Sequence, residues 1–149
     1  MQYVYYTLFP SDAKLESDNI TYTYDLPDDF CASKNERKII IEDFQFWEKM
    51  IQTNESQEEI TYYEARSGIC LHGDFADLSV SVKNSGDKLS QNLNFIGLSN
   101  NDGTWIYHKE FLYQRKQRYI KLKFRDLLGN FLTNEDYKYI FAVVMKLVY

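Results

Sequence analysis

Apolar and basic side chains alternate strictly along residues 119–125, near the end of the chain. The apolar positions are Ile120, Leu122 and Phe124, and the basic positions are Lys121, Lys123 and Arg125. Because successive side chains of a β-strand point to opposite faces, this pattern predicts a strand with one buried face and one basic face. After a polar break at residues 126–130, residues 139–149 predict a second strand that is rich in apolar side chains on both faces. Two such strands can bury their apolar faces only against another sheet.

Most of the remaining chain also predicts short strands. Residues 20–26 alternate as cleanly as residues 119–125, with Ile20, Tyr22, Tyr24 and Leu26 on one face. Further strands are predicted at residues 2–9, 60–65, 69–72, 78–82, 94–98, 104–108 and 111–113. Turns between them are predicted at Ser67-Gly68 and at residues 84–87 and 100–103, where glycine and asparagine are frequent.

Residues 38–51 fit two patterns. As a strand, three consecutive isoleucines lead into Phe44 and Phe46, whereas as a helix Ile40, Phe44, Trp47 and Ile51 would share one face. We favour a strand over residues 38–46, because β-branched side chains lose rotamer freedom in a helix. A single helical turn after Trp47 fits the sequence as well.

The spacing of these segments, about nine or ten strands in all, is typical of an all-β sandwich. Strands do not alternate with helices, which argues against a parallel α/β fold. We find no internal repeat, low-complexity segment or linker, so residues 1–149 are predicted to form a single antiparallel β-sandwich domain. The alternation alone does not distinguish a sandwich from a closed barrel.

The composition of the chain favours β-sheets and limits the classes of partner that the protein can have. Aromatic residues make up 17% of the chain, and they fit the half-buried surface of a sheet. The net charge of −5 argues against nucleic acid as a partner, since neutralising phosphates requires a basic surface. Residues 1–6 lack the pattern of a secretory signal, and no apolar run reaches membrane-spanning length. We therefore expect a soluble protein of a reducing compartment, without membrane insertion.

Candidate catalytic or metal-binding residues are sparse. Cys70 and His72 would share one face of a strand, but a structural zinc site needs four ligands and the other cysteine, Cys31, is remote in sequence. Two buried free thiols are the simpler interpretation, with a disulfide as the alternative. Neither His72 nor His108 lies in a nucleophile motif, and the acidic pairs fall in loops and at strand ends. We predict no catalytic residue, no metal and no cofactor.

Two surfaces are left for contacts. The first is a basic cluster consisting of Lys109, Arg115, Lys116, Arg118, Lys121, Lys123 and Arg125. It is either the solvated face of an outer sheet or an electrostatic docking face for an acidic neighbour. The second is the outer face of residues 139–149, which a loop of the same chain or a neighbouring subunit must cover.

Two stretches carry a resemblance to a known group of proteins. The first comprises residues 3–9, the segment Asn19 to Pro27 and residues 38–44; the second is Ile120 to Gly129 followed by the final apolar strand. In both, the chain resembles the single jelly-roll minor capsid and penton-type proteins of eukaryotic DNA viruses, virophages and Polinton-like elements. The resemblance covers about half of the chain and does not include residues 52–101.

The resemblance implies a single jelly roll of two four-stranded sheets and no enzymatic activity. It implies a structural virion protein that assembles with itself as a homo-oligomer and with other capsid proteins, and that is found in the virion after assembly in the host cytoplasm or viral factory. A cement or spike-base subunit fits as well as a penton. The predicted interface residues are Lys121, Lys123, Arg125, Tyr139, Val144, Val148 and Tyr149.

Two other functions remain open from the residues alone. One is a carbohydrate- or ligand-binding sandwich of the tail-fibre or lectin type, in which Trp47, Trp105 or Tyr107 would line a groove. The other is a small β-barrel enzyme or lipocalin-like carrier, which would require a closed interior cavity.

Overall fold

A computed structural model describes residues 1–76, 94–100, 105–106 and 109–149 of the chain. The strands are β1 (Tyr3–Leu8), β2 (Lys14–Leu15), β3 (Tyr22–Asp25), β4 (Lys38–Thr53), β5 (Glu59–Ala65), β6 (Cys70–Gly73), β7 (Phe95–Leu98), β8 (Trp105–Ile106), β9 (Glu110–Leu112), β10 (Tyr119–Arg125) and β11 (Tyr139–Val148). A one-turn helix α1 spans Asp28–Ala32, and 3-10 turns span Pro10–Asp12 and Glu135–Tyr137.

These strands form two antiparallel sheets. In the first sheet the order is β1-β11-β4, and the far edge of β4 pairs with β9 near its start and with β5 near its end. In the second sheet the order is β2-β3-β10-β6-β7-β8. The two sheets pack face to face, which confirms the predicted antiparallel all-β sandwich.

Strand pairing follows a nested order along the chain. Within the two sheets β1 pairs with β11, β3 with β10, β4 with β9 and β6 with β7. Two further pairings, β11 with β4 and β10 with β6, join these ribbons side by side. Consequently β11, at the end of the chain, lies inside the first sheet between β1 and β4, and β10 lies inside the second sheet between β3 and β6.

The core fills the space between the sheets with the residues that the alternation singled out. Ile120, Leu122 and Phe124 of β10 are at most 1% exposed. The Phe124 ring lies 4.3 Å from that of Phe141 on β11 and 5.6 Å from that of Phe44 on β4, measured between centroids. Because these rings come from opposite sheets, their packing joins the two layers, and each aromatic pair contributes about 0.5–1.5 kcal/mol beyond area burial.

A β-bulge in β4 explains why its pattern was ambiguous. Ile41 pairs with Met145 and Asp43 with Val144, which leaves Glu42 without a partner in the register. The extra residue shifts the phase of the alternation, so both Ile39 and Ile41 before it and Phe44 and Phe46 after it face the core. The expected helical turn after Trp47 is wrong, because β4 continues to Thr53 in pairing with β5.

Other segments differ from the prediction at their ends. The strand predicted at residues 20–26 starts at Tyr22, because the Asp18 carboxylate accepts hydrogen bonds from the N–H groups of Ile20 and Thr21 (2.9 and 3.0 Å) and holds a turn there. The strand predicted at residues 78–82, the turn at 84–87 and most of the turn at 100–103 lie outside the described residues.

Candidate interaction surfaces

The basic side chains of β10 lie on the outer face of the second sheet, as the alternation predicted. Lys121, Lys123 and Arg125 are all half-buried there. The Lys121 ammonium pairs with Glu16 of the neighbouring edge (2.9 Å), and this hydrogen bond lowers the pKa of Glu16 and raises that of Lys121. The basic face is therefore partly neutralised within the chain.

Other members of the basic cluster are paired as well. Lys109 binds Glu42 (2.8 Å) and Arg118 binds Asp28 (2.5 Å). Arg115 lies 3.5 Å from Asp74, whose pKa is raised by burial although it accepts a hydrogen bond from the Lys121 N–H. Sequence position could not reveal these pairs, because the partners come from distant segments. Four of the seven cluster members thus form surface ion pairs, so the cluster has a smaller net positive charge than its composition indicates.

An exposed aromatic ring lies in the middle of the remaining positive charge. Phe131 follows β10, bridges to Arg125 and is 44% exposed. The Lys123 ammonium and the Arg125 guanidinium lie 5.5 and 6.0 Å from its ring centroid. Beside the ring is a depression of about 190 Å³ that His72, Lys121 and Lys123 also line. We call Lys121, Lys123, Arg125 and Phe131 the Phe131 patch.

The other predicted interface residues divide between two positions on the last strand. Val144 and Val148 are half-buried on the outer face of the first sheet. Tyr139 and Tyr149 instead pack against the core, with ring centroids 5.3 Å from Phe46 and 5.8 Å from Phe30. The seven predicted residues thus do not form one surface, because the outer faces of the two sheets of a sandwich point in opposite directions.

The outer face around Val144 and Val148 is partly covered by the chain itself. Tyr3 and Tyr5 of β1 are 64% and 54% exposed on the neighbouring strand. The Lys146 ammonium lies 4.5 and 5.5 Å from their ring centroids, in cation–π contact with both. Lys146 interrupts the apolar run of β11, and its role was not apparent without the register that places it beside β1.

The β4–β5 hairpin forms an arm that extends beyond the rest of the first sheet. The last pair between β4 and β11 is Glu48 with Tyr139, whereas β4 and β5 stay paired as far as Thr53 and Glu59. Five residues of each strand therefore form a two-stranded ribbon, about 17 Å long at about 3.4 Å per residue. We call residues 49–63 the arm.

The arm is exposed and fixed at its base. Its apolar side chains Ile51, Ile60, Tyr62 and Tyr63 are 61%, 49%, 43% and 47% exposed. At the base, the Glu48 carboxylate bridges Arg66 (3.2 Å) and Lys138 (3.3 Å). At the tip, Asn54 Oδ1 accepts the Glu58 N–H (2.9 Å). Exposed apolar side chains on both faces of one ribbon are typical of a contact surface.

A groove of about 1020 Å³ lies beside the base of the arm. Aromatic rings of Trp47, Tyr63, Tyr137 and Tyr139 line it, together with polar groups that include Asn19 and Glu135. Tyr137 is 81% exposed. Sequence analysis proposed Trp47 as a groove residue; the Trp105 side chain and Tyr107 lie outside the described part of the chain.

Cys31 and Cys70 are free thiols, and burial raises the pKa of Cys70. His72 packs between the rings of Phe95 and Phe131, at 5.7 and 6.0 Å between centroids. Among the described residues, no three His, Cys, Asp or Glu side chains lie close enough together to hold a metal ion. No helix in this part of the chain has the length and apolar character needed to cross a membrane.

Comparison of the chain with protein-family models, with curated proteins and with solved structures found no match. The resemblance to jelly-roll capsid proteins therefore stays a prediction, and function has to be argued from the surfaces.

Proposed function

We propose that the protein is a structural virion subunit, of the minor capsid or penton type, that acts by self-assembly and by packing against other shell proteins. The observation that supports this most directly is the arm, which extends apolar side chains away from the core. An isolated two-stranded ribbon is only marginally stable in water, so contact with a further surface would stabilise it. Aromatic side chains such as Tyr62 are well suited as anchors of such contacts.

We further infer that the sandwich is a single jelly roll. The support is the nested order in which β1, β3, β4 and β6 pair with β11, β10, β9 and β7. A long antiparallel ribbon rolled into two sheets produces this order, and jelly rolls recur in viral capsid and lectin domains. Fold alone does not establish function, so the assembly proposal depends on the exposed arm and not on the strand order.

The proposal is tested by the oligomeric state and by the location of the protein. Sedimentation of the purified chain over a wide concentration range is expected to show concentration-dependent association. Quantitative mass spectrometry of purified particles should find the chain at a fixed ratio to the major shell protein. A strict monomer at high concentration that is also absent from particles would refute the proposal.

The aromatic groove supports a second candidate, a glycan-binding module of the lectin type. Tyrosine and tryptophan offer an apolar ring face together with a polar group, and ligand sites are typically concave and lined by such rings with a few polar groups. In a glycan array, Tyr137→Ala is expected to lose binding without loss of stability, since this ring is largely exposed. Replacing Tyr3, an exposed ring (64%) that does not line the groove, is the control, and no binding by the wild-type chain would exclude this candidate.

A further inference from the structure

We propose that the arm of one copy docks onto the Phe131 patch of a second copy. This inference rests on the proposed function and specifies which surfaces of the subunit would meet. It follows from the charge of the two surfaces, from their exposed apolar side chains and from their separate positions on the sandwich.

The two surfaces carry opposite charge. Residues 49–63 contain three glutamates, Glu55, Glu58 and Glu59, and one cation, Lys49, so the arm has a net charge of −2. The patch contains three cations, and the Lys121 ammonium is paired with Glu16. Opposite charges steer two surfaces together and fix their register, and salt screens this attraction.

The two surfaces also carry complementary apolar groups. Ile60 and Tyr62 share one face of the arm, since alternate residues of a strand point the same way. On the patch, the exposed Phe131 ring follows the turn that carries Leu127 and Leu128, which are 73% and 88% exposed. An aromatic side chain of the arm that packed beside the depression at Phe131 would shield the apolar side chains of both surfaces from water. Protein interfaces usually have such an apolar centre.

The arm and the patch belong to different parts of the molecule. The arm continues the edge of the first sheet, whereas the patch lies on the outer face of β10 in the second sheet. The contact joins two different surfaces, so it either closes a reciprocal dimer or is heterologous, with each copy offering its arm to one neighbour and its patch to another. Repetition of a heterologous contact produces a closed ring or an open chain, according to the rotation between copies.

Single substitutions on either surface are expected to weaken association. Tyr62→Ala and Glu58→Lys change the arm, and Phe131→Ala and Lys123→Glu change the patch. Each should raise the dissociation constant of self-association at least about tenfold in sedimentation at low salt, as expected for anchor residues. Lys34→Glu and Asp29→Lys, at exposed loop and helix positions, are matched charge controls and should associate like the wild type. Thermal unfolding of every variant shows whether it is folded.

Mixing two variants tests the pairing of arm with patch. A Tyr62→Ala copy keeps its patch, and a Phe131→Ala copy keeps its arm, so an equimolar mixture should form a one-to-one complex at a concentration at which each variant alone is monomeric. The docking proposal is refuted if the wild type associates and the arm and patch variants associate equally well. It is also refuted if only the arm variants fail, which would indicate contact between two arms. A wild type that never associates would also refute the docking proposal, and the proposed function fails only if the chain is absent from particles as well.

Discussion

Deletion of a single residue from β4 tests the bulge that places its side chains. Glu42 has no partner in the register with β11, because Ile41 and Asp43 pair with consecutive residues of that strand. Its removal should therefore give β4 a regular alternation from Ile41 to Asp43. Ile39 and Phe44 would keep facing the core. The Lys109–Glu42 ion pair would be lost, but surface ion pairs contribute little. We expect a cost of about 1 kcal/mol in the free energy of unfolding, at the low end of typical mutational effects.

Deletion of Gln45, three positions further along, should have a much larger effect. If the pairing on both sides of the bulge is kept and the bulge disappears, Phe44 moves to the outer face. Asp43 then takes its place opposite Val143, which is fully buried. Loss of a buried phenylalanine costs about 3–5 kcal/mol. Burial of an unpaired carboxylate adds several kcal/mol more. The sum is comparable to the whole stability of a typical domain, about 5–15 kcal/mol.

The assay is urea unfolding followed by tryptophan fluorescence and circular dichroism. Deletion of Glu42 should shift the midpoint slightly and leave the slope unchanged, because the same surface is buried. Deletion of Gln45 should give a chain that is largely unfolded without urea. Equal destabilisation by the two deletions would show that the bulge does not set the phase of β4, and a stable protein lacking Gln45 would contradict the register itself.

Two further predictions concern pH. Tyr24 donates a hydrogen bond to the Phe9 carbonyl oxygen (2.6 Å), so Tyr24→Phe should lower the free energy of unfolding by about 1 kcal/mol at neutral pH. Burial raises the pKa of Tyr24, so the stability of the wild type falls as pH rises above about 10. The variant should lose less stability over that range, as measured by unfolding curves at alkaline pH. The hydrogen bonds from Ile20 and Thr21 lower the pKa of Asp18, so its contribution is present above about pH 4 and is lost as pH falls through the lowered pKa. Asp18→Asn should therefore be less stable than wild type at pH 7 by under about 1 kcal/mol, with a smaller difference near pH 3 in urea titrations; an unchanged difference would contradict this sign.

Local patterns predicted the elements whose two faces differ in polarity. In β10 a strict alternation of apolar and basic residues places Ile120 and Leu122 in the core and Lys121 outside, as observed. In β11 both faces are apolar, so the sequence predicted a strand but could not show which face Tyr139 and Tyr149 occupy. Their packing against Phe46 and Phe30 depends on residues from other strands.

The candidate surfaces were less accessible to sequence analysis, because each depends on the pairing of distant segments. The arm exists because β4 pairs with β11 only as far as Glu48 but with β5 as far as Thr53, and neither limit is encoded in residues 49–63 alone. Phe131 follows a turn without periodicity, and only its bridge to Arg125 places it among the basic side chains.

The sequence by itself determined the all-β class and the inward residues of the regular strands, because a two-residue period is a local property of the chain. Tertiary structure alone decided the nested strand order, the bulge at Glu42, the ion pair between Lys121 and Glu16 and the exposure of the arm. These features arise from contacts between residues far apart in the chain, whose partners no local pattern specifies. For this reason the contact of the β10 side chains Lys123 and Arg125 with the Phe131 ring became apparent only in the folded structure.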